Sequence, residues 1–402
     1  MIVRLGAPFL ISRRLKKGLE HPIRYTERYG VSGQARPKGE LIWLHGASVG
    51  ESLSILPLIE KMTAQKPDAY FLITTTTIAA QKVVSARMQK NTLHQFIPFD
   101  AIIWANKFLD HWRPNGVFFI ESEIWPNILW QAYRRNIPIT LLNARLSETS
   151  LRNWMWVKKI SKKLWGCFSG IYTQSDVFTQ RFHQLGASYA KTLGNIKLLS
   201  AELPFDEKEY LYWKAQIGNR PCWVVASTHK GEEEQIFKVH QVLKKDFPGL
   251  LTIIAPRHVE RCEDVINLDQ EVTIARFTNQ KLHDEDILLV DAMAKLGVFY
   301  RLSSIAFIGG SLIPQGGHNP LEPSMIGTFP LWGPYFFNVN DMMYLFEGLP
   351  CQQSDTERLT YSLKDLLAHP EKVEGLVKDL QQRIVSSQWQ INQKVDEIVS
   401  SI

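Results

Sequence analysis

The chain should fold as an α/β protein of two Rossmann-like, doubly wound domains facing a cleft. At 402 residues it is too long for one ordinary hydrophobic core, so two domains are expected. Short apolar runs alternate with stretches of helical periodicity, as in a parallel sheet covered by helices on both faces. The alternation breaks once, over residues 194–206, and then restarts. The expected division is therefore residues 1–195 and residues 196–402, the second taking in the terminal helices.

In the first half, near-continuous apolar runs predict strands over 41–45, 70–74, 95–98, 117–121, 137–142, 170–173 and 191–193. Helical stretches lie near 52–62, 79–88, 103–111, 126–135, 150–164 and 177–184. Gly194-Asn195 ends the last short strand, and the sequence then turns polar. In the second half strands are expected at 222–226, 250–255, 272–274, 287–290, 304–308 and 329–331. The helices between and after them fall near 232–245, 259–267, 292–302, 320–326 and 340–346, and residues 355–402 read as helical throughout. No internal repeat or low-complexity tract is present.

Hydrophobic residues make up 45% and charged residues 21%, ordinary for a soluble globular protein. The net charge of +6 suits an acidic partner, whether nucleic acid, anionic lipid or a phosphorylated substrate. The 12 tryptophans are scattered and not interleaved with a basic stripe, so no nucleic-acid partner is expected. Cys167, Cys222, Cys262 and Cys351 form no CxxC pair, which argues against a zinc ribbon or disulfide framework and fits a reducing cytoplasm. No stretch reaches the roughly 18 apolar residues that a membrane span needs. The N-terminus has Arg4 inside its apolar start and no convincing cleavage site, so a secretory signal is not expected. Arg13, Arg14, Lys16 and Lys17 follow, which leaves two readings: a segment docking on an anionic bilayer, or a terminal helix packed on its own domain.

Ligands bind doubly wound sheets beyond the carboxyl ends of the strands. After the strand at 41–45 comes Gly46-Ala47-Ser48-Val49-Gly50-Glu51, a tight turn into a helix whose N–H groups suit an acidic group. Glu51 opens that helix, either as a complement to its dipole or as a general base for a glycosyl acceptor hydroxyl. Ser48 and Gly50 are acceptor-side candidates, and Gly-Ala-Ser-Val-Gly also matches a serine-hydrolase elbow in form. A hydrolase would need one of His229, His258 or His318 as partner, and two separate alternating halves do not fit its single sheet. Thr74, Thr75, Thr76 and Thr77 follow the second strand as helix caps or phosphate contacts, with Thr75 taken as an acceptor-side candidate. Glu121 and Glu123 end another strand, where two carboxylates need solvent or partners. Arg145, after Asn143-Ala144, is positioned to pair with either of them or with a phosphate.

In the second half, Ser227-Thr228-His229-Lys230 links a strand to a helix, and its groups suit phosphate. The acidic run Glu232-Glu233-Glu234 beyond it reads as a solvated first turn. Arg257 ends the next strand and Met293 follows another. The stretch from Gly309-Gly310-Ser311-Leu312 to Gly316-Gly317-His318-Asn319-Pro320-Leu321-Glu322-Pro323 reads as a nucleotide site. Its glycines permit close backbone approach, Pro320 marks a helix start, and Asn319 and Glu322 share one helix face.

Taken together, these motifs resemble the Kdo (3-deoxy-D-manno-octulosonic acid) transferases of lipopolysaccharide core assembly, from about Arg24 to Asn340. The likeness is carried by the Trp43-Leu44-His45-Gly46-Ala47-Ser48-Val49-Gly50-Glu51 run, Thr74 to Thr77, Glu121-Ser122-Glu123-Ile124-Trp125-Pro126-Asn127, Asn143-Ala144-Arg145, Ser227-Thr228-His229, Pro256-Arg257-His258 and the glycine-rich stretch. It implies a glycosyltransferase fold of the B type and inverting, metal-independent transfer with no cofactor. CMP-Kdo would be the donor and lipid IV-A the acceptor, at the cytoplasmic face of the inner membrane, with the N-terminus meeting its anionic surface. It implies Glu51 as base, a second important carboxylate in the Glu121/Glu123 pair, and CMP contacts from Arg257, Met293, Asn319 and Glu322, with Ser227 and His229 close by. Members commonly carry Asp-Thr-Met-Gly-Glu-Leu where this chain has Asp291-Ala292-Met293-Ala294-Lys295-Leu296. The competing expectation is a transferase of the same fold using another nucleotide sugar, such as a UDP sugar.

Overall fold

The computed structural model describes residues 2–199, 202–268, 271–338 and 340–400. The chain forms two compact units, Met1–Ser200 with Ser387–Ile402, and Ala201–Ser386, each built on one parallel sheet. The first sheet comprises β1 (Leu41–His45), β2 (Tyr70–Thr75), β3 (Thr92–Phe96), β4 (Gly116–Ile120), β5 (Ile139–Ala144), β6 (Gly170–Thr173) and β7 (Lys191–Thr192), in the order β3-β2-β1-β4-β5-β6-β7. The second comprises β8 (Cys222–Thr228), β9 (Leu251–Pro256), β10 (Ile274–Arg276), β11 (Ile287–Leu289), β12 (Ile305–Ile308) and β13 (Phe329–Trp332), in the order β10-β11-β9-β8-β12-β13.

Both sheets are covered by helices, and their central strands are largely apolar for that reason. Every residue of β1, β4, β9 and β12 is buried. Burying one Leu, Ile or Phe side chain contributes about 1.5–3 kcal/mol, so these runs are the main source of each core. Trp43, Phe108 and Phe119 meet at ring separations of 4.8 and 5.4 Å in the first unit. Trp213, Phe277 and Phe299 form the matching cluster in the second. All strands run parallel, and the strand order switches sides between β1 and β4 in the first sheet and between β8 and β12 in the second. Ligands of doubly wound sheets bind at such points.

Several elements differ from the sequence expectation. The single helix expected over 150–164 is two, Glu148–Trp156 and Lys158–Trp165, broken where Val157 leaves helical geometry at φ −114°, ψ 37°. The helix expected over 292–302 is only Leu296–Tyr300, because Ala294 takes a left-handed backbone at φ 61°. Residues 196–199, read as part of the break, form a short helical turn with Ile196 and Leu198 buried. The last helix, Pro370–Ser400, was expected to lie wholly in the second domain, yet its residues from Ser387 onward belong to the first unit. Asp396 pairs with Lys61 at 2.8 Å, Lys394 donates to the Thr192 carbonyl at 3.1 Å, and Ile391 packs so closely on Gly194 that a Cβ there would lie 2.8 Å from it.

The N-terminal segment forms the helix Ile2–Lys16, packed in part on its own unit. Ala7 and Ile11 are buried against the unit, while Phe9 is 75% exposed beside the basic Arg13, Arg14 and Lys16. No helix among the described residues is long and apolar enough to cross a membrane.

Candidate active site

In the first unit the turn after β1 is organised by its own polar groups. Ser48 caps the helix Val49–Gln65: its Oγ accepts from the Glu51 N–H at 3.3 Å and donates to Glu51 Oε1 at 2.9 Å. Glu51 Oε2 accepts from the Ala47 N–H at 2.7 Å. This is a variant of the capping box. It fixes the carboxylate while leaving each oxygen a lone pair for a further proton donor. Burial raises the Glu51 pKa; the Ala47 and Ser48 donors oppose the rise, and the negative charges of Glu121 and Glu123 add to it. Gly50 is exposed and a Cβ there would meet open space, so no packing demand explains it.

Glu121 and Glu123 follow β4, beside β1 at the switch point. Glu121 takes φ 62°, a conformation that non-glycine residues hold only when their surroundings enforce it. Lys197 Nζ lies 2.6 Å from its Oε1 and Arg145 Nη1 lies 3.9 Å from its Oε2. Asn143, at φ 55° in a bulged stretch of β5, accepts from the Ile196 N–H at 3.0 Å and so places the turn carrying Lys197. Burial pushes the Glu123 pKa up, but His45 and the Trp125 N–H outweigh it and hold the carboxyl below its usual range. Trp125 Nε1 donates at 2.9 Å, and His45 Nε2 lies 3.5 Å away. His45 is fully buried, with Nδ1 3.0 Å from the Thr74 carbonyl and 2.9 Å from the Thr74 hydroxyl.

Thr75 goes elsewhere. Its hydroxyl is buried 2.9 Å from His94 Nε2, and Thr77 caps the helix Ile78–Ser85. Burial and the charges of Arg24 and Arg28 push His94 down to about 3, so its ring is neutral and Thr75 serves the interior.

In the second unit β8 and β12 flank the switch point. Ser227 takes φ 60° at the register shift between β8 and β9, and a Cβ at Gly309 would lie 2.5 Å from the Ser227 carbonyl oxygen. That contact is why Gly309 must be glycine. Glu232 and Glu233, in the acidic run expected as a solvated first turn, are instead buried. Glu232 Oε2 accepts from His229 N at 2.9 Å and Gly310 N at 2.7 Å, and Oε1 from Ser311 N and Leu312 N at 3.0 Å each. Glu233 accepts from the Thr228 hydroxyl at 2.8 Å and is gripped by both Arg261 nitrogens at 3.0 and 3.1 Å. The carboxylates tolerate burial because backbone N–H groups and a guanidinium replace water. The N–H groups of residues 310–312 in the glycine-rich turn, whose glycines were expected to permit close backbone approach to a ligand, are thus held by Glu232.

Around it, His229 Nε2 meets His318 Nε2 at 2.8 Å. Arg257 is exposed and its guanidinium makes no hydrogen bond or ion pair among the described residues, while its charge acts on His229, His318 and Glu322. Asn319 lies outside the helix Leu321–Ile326, not on its face: Oδ1 accepts from Leu321 N at 3.1 Å and Nδ2 donates to Glu322 Oε1 at 3.4 Å. Burial raises the Glu322 pKa, opposed by Asn319 and Arg257. Met293 is 67% exposed on the loop that Lys295 ties to Glu209 at 2.8 and 2.9 Å.

The structure therefore groups Ser48, Glu51, Glu121, Glu123 and Arg145 in one unit, and Arg257, His229, Asn319 and Glu322 in the other. Sequence reading missed Lys197, His45 and Glu232. A polar residue closing an apolar run marks His45; nothing local marks the other two.

A family model described as 3-deoxy-D-manno-octulosonic-acid transferase (kdotransferase) matches residues 23–200. A Rickettsia felis protein named 3-deoxy-D-manno-octulosonic acid transferase is 37% identical over 298 residues, covering 73% of this chain and 64% of that one, just under two thirds of its length. A Haemophilus influenzae protein of the same name is 33% identical over 368 residues, covering 88% of this chain and 85% of the relative. Among solved structures, Anabaena Alr3699/HepE in complex with UDP matches with a TM-score of 0.58 at 12% identity, over 90% of this chain and all of that one. That likeness concerns the fold, two doubly wound parallel sheets of the glycosyltransferase B type.

Proposed function

This chain belongs to the 3-deoxy-D-manno-octulosonic acid transferase family, and we propose that it transfers Kdo from CMP-Kdo to lipid IV-A with inversion and without a metal. The observation that carries the reading is Glu51: a carboxylate fixed by two donors, with spare lone pairs and a pKa raised by burial and two neighbouring carboxylates. A base tuned toward neutral pH accepts a proton from an attacking hydroxyl more effectively. As the acceptor oxygen forms its bond to the anomeric carbon, its proton passes to Glu51. The bond to the CMP oxygen breaks, and its electron pair goes to the phosphate. Arg257, whose guanidinium has no hydrogen-bond or ion-pair partner among the described residues, meets that charge; Asn319 and Glu322 orient the nucleotide, with Ser227 and Met293 alongside. Glu121, paired with Lys197, and Glu123, tied to Trp125, keep the acceptor side polar.

We place the enzyme at the cytoplasmic face of the inner membrane. In support, Phe9 is exposed beside basic residues, and Trp156, 90% exposed, and Ile160 sit among Arg152, Lys158, Lys159, Lys162 and Lys163. An exposed aromatic amid lysines suits an anionic headgroup layer.

The test is a transfer assay with CMP-Kdo generated in situ and lipid IV-A, read by mass spectrometry, with Glu51→Gln beside wild type. A mass gain of one or more Kdo units in wild type, lost in the variant while CMP still binds, is the expected result. Wild-type transfer by the variant removes Glu51 as base. CMP binding without transfer removes lipid IV-A as acceptor, and transfer from a UDP sugar instead removes the donor.

A further inference from the structure

We propose that His229 and His318 act as one proton-holding pair that takes up a single proton when the nucleotide phosphate binds beside Arg257. The inference rests on the CMP-sugar reading above and adds to it a proton that arrives and leaves with the ligand.

The geometry is specific. The two Nε2 atoms are 2.8 Å apart, and the ring planes differ by 2°. Only one hydrogen fits between two nitrogens at that distance. In the neutral pair one ring carries it, and the other carries its proton on Nδ1. The pair then offers one outward Nδ1–H. Adding one proton keeps the shared Nε2–H···Nε2 bond and puts a hydrogen on both Nδ1 atoms. The result is one positive charge spread over two rings and a second outward donor, with no rearrangement of the pair.

The surroundings decide when the proton is held. His258 stands 6.1 Å from the His229 ring, and Arg257 and Arg261 add positive charge on the same side of the balance. Glu233 pulls the other way, but it is already gripped by Arg261 and Thr228. Glu232 is committed to backbone N–H groups, including that of His229 itself. With burial first and these cations next, His318 is pushed down to about 4 and His229 falls below its usual value. The ligand-free pair is therefore neutral at pH 7. A phosphate beside Arg257 offsets the charge that expels the proton, and the pair takes one from solvent. During transfer the leaving phosphate gains a negative charge. The pair meets it with a charge already in place, and the proton stays on the rings. It returns to solvent when CMP departs.

The test is isothermal titration of the full chain with CMP near pH 8, in buffers of different ionisation enthalpy. The second phosphate pKa is about 6, so the CMP phosphate is fully ionised there and any proton taken up belongs to the protein. We expect uptake of a fraction of one proton per CMP, larger at pH 7.5 than at pH 8.5, none with cytidine, and a Kd that weakens with rising pH by less than about tenfold per unit. Both H229Q and H318Q should bind CMP more weakly and lose the uptake and the pH slope. If one variant unfolds, the other and the wild-type uptake still decide. CMP binding without uptake in wild type, or uptake unchanged in a folded H318Q, overturns the proposal alone. Uptake on adding free Kdo but not CMP would assign the pair to the sugar carboxylate and overturn the phosphate assignment. No CMP binding would overturn the donor reading and this inference together.

Discussion

Replacing Glu232 by glutamine removes half of a buried cradle. In the native protein each carboxylate oxygen accepts two backbone N–H groups, from His229 and Gly310 on one side and Ser311 and Leu312 on the other. Glutamine turns one oxygen into an NH2, so two N–H donors face a donor. A buried unsatisfied donor costs about 1–3 kcal/mol, which gives roughly 2–6 kcal/mol for Glu232→Gln and about twice that for Glu232→Ala before relaxation. Against a total stability of about 5–15 kcal/mol, the second unit should unfold at clearly lower denaturant, and the 309–312 turn should lose its CMP affinity with it. The assay is denaturant unfolding of the full chain, fitted for separate transitions of the two units, with CMP binding measured in parallel. A Glu232→Gln protein within about 0.5 kcal/mol of wild type, with unchanged CMP affinity, would show that the turn is held by something else.

If Glu51 is the base, the transfer rate should fall as pH drops through its raised pKa, with the acid limb above the ordinary carboxylate range; a limb at or below that range refutes the role. Glu123→Gln removes one of the charges that raise it and should move the limb to lower pH. Lys197→Ala leaves Glu121 without its 2.6 Å partner and should lower kcat at least about tenfold, by the usual weight of a positioned charge, with partial rescue by Lys197→Arg; an unchanged kcat makes the pair structural. Ala294→Gly should stabilise the second unit by about 0.5–1 kcal/mol, because a left-handed backbone costs a non-glycine residue about 1–2 kcal/mol and glycine gives part of that back through its freer unfolded chain. A loss of stability in that variant would mean the Ala294 methyl packs favourably. Trp156→Glu with Ile160→Glu should cut co-sedimentation with anionic vesicles several-fold while leaving neutral vesicles unaffected; equal binding to both would remove this surface from the bilayer contact.

Both halves of the fold were legible because the central strands, such as β4 and β12, are unbroken apolar runs, which is what a two-sided parallel sheet requires. The polar residues that close those runs, such as Glu121 and Ser227, were legible for the same reason: polarity at the end of a buried strand demands a partner or a ligand. What stayed hidden depends on contacts remote in sequence. Glu232 and Glu233 look solvated beside Glu234, and only the folded turn brings backbone N–H groups and Arg261 to them. Lys197 lies in a polar stretch that reads as a linker, and it becomes a site residue through Asn143, a strand away. The last helix shows an amphipathic period, but periodicity states that a face is buried and not which sheet buries it. Backbone strain is equally silent in sequence. Of the seven described non-glycine residues with positive φ, Glu121, Asn143, Ser227 and Ala294 all sit at or just beyond strand ends where chemistry is proposed. Strain of this kind persists where the surroundings enforce it, commonly at functional sites. Ala294 is the one the sequence did flag, as a lost glycine in a motif otherwise kept only in part. Its φ of 61° explains why glycine belongs there and what this chain tolerates without it.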